Sequence, residues 1–203
     1  MIRNELLQIL NNTWPTLALC IIILSTLRIM QLLKNNEKII LYKEFINLLF
    51  IIYILCLFHT VTEQDNILTS SNFIPFKEIF RYSFLSNLFI KNILGNIIMF
   101  IPYGFFASYY LKINKKLPGI ILAIIVSSSI ELIQLSIGRI FDVDDIILNT
   151  TGAFIGVLFY TSINNIKNII PSFLKKDWFY NIIVLLIFII FLAFLTGSLE
   201  LGV

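Results

Sequence analysis

The chain has 203 residues, of which 58% are hydrophobic and only 13% charged, and its mean hydropathy is +0.91. A single soluble core cannot bury so much Ile, Leu and Phe, so the composition excludes an ordinary water-soluble domain and points to lipid as the solvent. The net charge of +3 does not indicate nucleic acid, because the basic residues are spread over short polar segments rather than gathered in one patch.

In chain order, apolar runs predict transmembrane helices near residues 14–33, 46–62, 93–111, 118–137, 146–163 and 180–197, each close to the roughly 20 residues that cross a bilayer. The expected fold is all-α, with residues 1–203 forming a single membrane domain as a polytopic bundle of about six spans. The first run lacks the basic flank and small-residue cleavage site of a signal peptide and reads as a retained span. Cys20 and Cys56 lie inside apolar runs, where a thiol behaves as a small hydrophobe, and no cofactor is implied by them.

The polar connections give the orientation. Lys34, Lys38 and Lys43 follow the first span, Lys112, Lys115 and Lys116 the third, and Lys167, Lys175 and Lys176 the fifth, so these connections are expected on the cytoplasmic side. Glu63, Asp65, Asp142, Asp144 and Asp145 occupy the opposite loops, which leaves both termini extracytoplasmic.

Between the second and third spans, residues 73–90 place Phe76, Ile79, Phe80, Phe84 and Leu88 on one helical face, with Lys77, Glu78, Arg81 and Tyr82 opposite. That pattern predicts an amphipathic helix lying in the membrane interface, serving either as a membrane-surface strut or as a lid or lipid-docking element over an outer site.

The next three spans hold the chain's anomalies. Asn92 and Asn96 open the third span four residues apart, as expected for one helical face, and Pro102 is expected to kink it before Gly104. Glu131 and Gln134 share a face of the fourth span, and Arg139 follows about 12 Å further along a helical rise. An acid within a span costs about 2.5–3.5 kcal/mol and usually pairs, faces a cavity or takes part in chemistry. Asp142, Asp145, Asn149, Gly152 and Gly156 recur at intervals of three or four along the entry to the fifth span, where acids favour a helix start and glycines allow close packing. Asn92, Asn96, Glu131, Gln134, Arg139, Asp142, Asp145 and Asn149 are therefore grouped as a ligand-binding polar pocket in the outer half of the membrane, with Glu131 and Arg139 the candidates for any acid–base step. The acids at 142, 144 and 145 have no fixed metal-ligand spacing, and no metal is expected.

The segments NILGNIIMFIPYGF at 92–105 and SSSIELIQLSIGRIFDVDDIILNTTGAFIG at 127–156, taken in order, resemble the VanZ-like family of bacterial membrane proteins. The resemblance places the family core at about 73–163, with the spans at 14–33, 46–62 and 180–197 as additions. It implies a role in resistance to lipoglycopeptides of the teicoplanin type, with membrane lipids, the lipoglycopeptide itself or a lipid-linked cell-wall precursor as partner. Three functions stay open: binding or shielding, catalysis on an envelope lipid with Glu131 as acid or base, and transport. The chain has no recognisable nucleophile motif, His/Cys cluster or glycine-rich nucleotide loop, which favours binding over catalysis, and no internal repeat that would favour transport.

Overall fold

The computed structural model describes residues 2–36, 38–63, 71–83, 86–112, 116–169 and 171–195. Asp65, Phe84 and Lys115, which entered the topology and amphipathicity arguments, lie outside them. The described chain is helical: α1 (Ile2–Asn35), α2 (Leu41–Glu63), a single turn α3 (Asn87–Phe89), α4 (Gly95–Leu111), α5 (Lys116–Ser136), α6 (Val143–Ile169) and α7 (Asp177–Leu195). Apolar segments long enough to cross a bilayer occupy Trp14–Asn35, Leu41–Thr62, Asn87–Leu111, Lys116–Ser136 and Val143–Ile166, and α7 adds a shorter apolar stretch, Asp177–Ile190. The backbone groups of a lipid-embedded segment must be satisfied within the protein, and continuous helices do this along every one of these runs. The structure is thus an all-α membrane bundle.

The chain forms two compact units, one of Met1–His59 with Ile170–Val203 and one of Thr60–Ile169. In the first, the Arg28 guanidinium donates from Nε and Nη2 to the two Glu44 carboxylate oxygens at 3.0 Å each, and Asn181 Oδ1 accepts the Tyr42 backbone N–H at 3.0 Å. A fork-to-carboxylate pair of this kind is the strong form of an ion pair.

The second unit is built on α6. Glycines on both helices let α4 and α6 approach backbone to backbone: a Cβ at Gly152 would collide with the Ile97 carbonyl, one at Gly156 with the Ile101 carbonyl, and one at Gly104 of α4 with the Ala153 carbonyl. Gly152 is level with Ile97 and Gly156 with Ile101, so α4 and α6 run in the same direction. On its other side α6 meets α5 in the opposite direction, since Asn149 bonds Ser127 while Val157 lies against Gly119. Phe100, Ala123, Ala153 and Val157 are fully buried between these helices. Without a hydrophobic force to join helices in lipid, such small-residue contacts supply the association.

A continuous interfacial helix over 73–90 is not what forms. The described residues there make turns, one 3₁₀ turn at Ile79–Arg81, and then α3, which leads through a π-helical segment at Ile90–Leu94 into α4. Pro75 interrupts the helix, Phe76 adopts a left-handed φ of 67°, and the backbone donors that a helix would use internally are taken by a carboxylate described below. The α4 helix itself continues through Pro102.

The glycine seam gives a direct test. Gly152→Ala forces a methyl into the Ile97 carbonyl and should cost about 1–3 kcal/mol, the usual penalty for overpacking, whereas Gly95→Ala meets only an ordinary contact at 3.9 Å and should be close to neutral. Thermal unfolding of the two variants in detergent checks the difference; equal midpoints would refute the seam.

Candidate functional site

The site sits where α5 ends and α6 begins. Helix α5 closes with Gly138 at a φ of 83°, while Arg139 N–H bonds the Gln134 carbonyl at 2.9 Å and Gly138 N–H that of Leu135 at 3.2 Å. This is the glycine-terminated helix end that turns a chain sharply, and it brings Arg139 back toward α2. Arg139 Nη1 donates to the Val61 carbonyl, and Gln134 Nε2 donates to the same oxygen at 3.1 Å. Val61 lies in the last turn of α2, where carbonyls have no helical partner and carry partial negative charge, so both donors meet a real need.

Asp142 begins α6. Its Oδ1 accepts the Asp144 backbone N–H at 2.9 Å, the N-cap bond, and the Asn72 side-chain amide at 2.9 Å. Its own backbone N–H is donated to Glu131 Oε2 at 2.9 Å, so the carboxylate inside α5 fixes the start of α6. Glu131 is only 2% exposed. Glu131 accepts the Asp142 N–H and Arg139 donates to the Val61 carbonyl, so the two candidate ionic residues stand at the same end of the unit, each with a hydrogen-bond partner of its own. Burial, with the negative charges of Asp144 and Glu78 adding to it, raises the Asp142 carboxyl above the ordinary range against the hydrogen bonds it accepts.

Asp144, outside the residues that sequence groups as the pocket, is 1% exposed. Its carboxylate accepts three backbone N–H groups, from Phe76 at 2.5 Å, Glu78 at 2.7 Å and Ile79 at 3.2 Å. The residues 72–81 are thereby strapped across the start of α6. Asn72 completes the fastening: its N–H bonds the Phe141 carbonyl at 2.8 Å and its carbonyl accepts from Val143 N–H at 3.0 Å. Glu78, expected on a solvated face, is buried beside Arg81 in an ion pair of 3.0 Å.

Asp145 points the other way, accepting from Asn96 Nδ2 of α4 at 2.5 Å. The antiparallel register that pairs Asn149 with Ser127 puts Asp145 level with Glu131, one turn further along each helix. Asn149 Nδ2 donates to Ser127 Oγ at 2.9 Å, and its buried Oδ1 has no hydrogen-bond partner among the described residues. Asn92 departs from the expected grouping. The π-helical winding of Ile90–Leu94 spoils the i, i+4 alignment, so Asn92 donates to the Tyr82 hydroxyl at 3.0 Å while Asn96 turns to Asp145. Glu131, Gln134, Arg139, Asp142, Asp145, Asn149 and Asn96 are all at this end of the unit. Sequence reasoning missed Asn72, Ser127, Tyr82 and the Val61 carbonyl; the signals that existed were Gly138 just past a helix and an Asp at a helix start. Among the described residues no group of three or more His, Cys, Asp or Glu is placed to hold a metal ion.

The strap gives a second test. Asp144→Asn keeps the size but removes one acceptor and the charge, and stranding buried donors costs about 1–3 kcal/mol. Amide exchange at Phe76, Glu78 and Ile79 should therefore quicken by about ten- to a hundredfold while Val157 stays protected; unchanged exchange at the three would show that the carboxylate does not hold the strap.

No curated protein and no solved structure matches the chain. A family model described as VanZ/LLP1 matches residues 45–167, which takes in the second span as well as the polar helices and excludes the first span and α7. All the polar residues assembled at the α5–α6 end fall within that match, and the chain belongs to the VanZ/LLP1 family.

Proposed function

We propose that the chain recognises an amphiphile or a lipid-linked envelope component in the outer leaflet of a bacterial cell membrane, and in this way lowers sensitivity to lipoglycopeptides of the teicoplanin type. The observation that carries this reading is Glu131, almost wholly buried in an apolar helix yet level with Asp145 and accepting the Asp142 backbone N–H. Carboxylates at such a place are costly unless they pair, bind or react. Much of the assembly is internally bonded, which fixes the positions of the remaining polar atoms, and the unpartnered Asn149 Oδ1 leaves an acceptor for a ligand donor. The family membership supports the teicoplanin connection.

Expression in a teicoplanin-sensitive Gram-positive host should raise the inhibitory concentration of teicoplanin and leave that of vancomycin, which lacks the lipid tail, nearly unchanged. Glu131→Gln and Arg139→Lys should return it to the empty-vector level with membrane expression intact. Loss of the charge in one and of the planar guanidinium in the other is the reason. Leu185→Ala, an exposed apolar position on α7, should have little effect. Unaltered teicoplanin sensitivity in several hosts with verified expression would remove the resistance reading.

A catalytic reading rests on Glu131 as acid or base with Arg139 facing a developing anion. Purified protein incubated with envelope lipids separates the two: turnover supports catalysis, saturable stoichiometric binding supports recognition.

The lysine-rich connections support the orientation with both termini outside. A fluorescent protein fused after Lys175 should then fluoresce in the cytoplasm, and a secreted-only reporter fused there should be silent. The reverse pattern would overturn the orientation.

A further inference from the structure

The strap at residues 72–81 carries a set of side chains that the polar site does not use. Phe73 is 69% exposed and Phe80 82%, and Ile74 and Phe76 are exposed with them. Phe73 stacks on Phe141 at 5.2 Å between centroids, and Phe76 lies 6.3 Å from Phe80. In water this much apolar surface on a short irregular segment would be unfavourable.

The position of the strap says what covers it. Asn72 is hydrogen-bonded to Phe141 and Val143, and Val143 is the first residue of the membrane-crossing stretch Val143–Ile166. At its other end the chain enters Asn87–Leu111, a stretch parallel to it. The strap is thus held at the level where two parallel spans leave the lipid on the same side. Its backbone is suited to a partly dehydrated setting, because the N–H groups of Phe76, Glu78 and Ile79 are consumed by Asp144. Exposed Lys77 lies among the aromatic residues, and Arg81 and Glu78 cancel each other in an ion pair. Aromatic rings with an adjacent cation are the composition that settles at the headgroup level of a bilayer.

We infer that the 72–81 strap docks into the lipid interface of the leaflet at the α6 start, with Phe73, Ile74, Phe76 and Phe80 among the upper acyl chains and Lys77 against the lipid phosphates. The strap is pinned from the protein side by Asp142 and Asp144 and covered from the other side by lipid. This holds whatever the polar site binds, so it stands or falls separately from the proposed recognition function.

The test uses the full chain, with Cys20→Ser and Cys56→Ser, in vesicles of phosphatidylcholine and phosphatidylglycerol. Phe80→Cys is labelled with an environment-sensitive fluorophore, and Ile74→Cys provides a second site should the first variant fold poorly. The same fluorophore conjugated to a small soluble thiol, free in the buffer, serves as the aqueous reference. The expected result is quenching of both strap labels by lipids carrying a spin label near the headgroup, a blue shift relative to the reference, and loss of quenching by aqueous iodide. Iodide quenching equal to the reference with no effect of spin-labelled lipid, at both positions, would overturn the inference.

Discussion

A carboxylate that leaves water must be given donors, and the second unit of this protein is organised around that requirement. The short run from Asp142 to Asp145 supplies three acids to one helix start, and each is given donors by a distant part of the chain. Asp142 caps its own helix and holds Asn72, Asp144 gathers the backbone of the strap, and Asp145 takes the amide of Asn96 from α4. Glu131 closes the set from α5 by accepting the Asp142 N–H. The start of α6 is therefore the point at which two neighbouring helices and an interhelical segment are tied together.

The glycine seam and the acids act at different depths on the same helix. Below, Gly152 and Gly156 bring the α4 backbone against α6 with no intervening side chain. Above, Asn96 and Asp145 connect the same two helices by a polar bond. Close backbone packing restricts sliding and tilting, and this in turn keeps a short amide-to-carboxylate bond in place within lipid, where a small displacement would strand both groups.

The spans were legible because their signal is local: a run of apolar residues has the same meaning whatever lies beside it. Gly152 and Gly156 were legible for the same reason, as a spacing on one helix, and so was the collection of polar residues at one end. The assignment of partners was not. Asp142, Asp144 and Asp145 all find partners distant in sequence, and nothing in the polar stretch around Asn72 has a period that marks it as the complement of a helix cap. The 73–90 segment shows the converse error. Its apolar spacing fits a helix, but Pro75 and the competition of the Asp144 carboxylate for its N–H groups decide otherwise, and a long-range hydrogen bond is invisible to a local pattern.

The wide turn at Ile90–Leu94 has a consequence for how the two polar layers coexist. An unbroken α-helix would lock the angular phase of everything above Gly95 to everything below it, and the amides of Asn92 and Asn96 would compete for one side. The π-helical turn inserts a phase offset, so the upper amide serves Tyr82 and the lower one serves Asp145. Two amides four residues apart thus fasten this stretch in two places, to the preceding segment through Tyr82 and to α6 through Asp145.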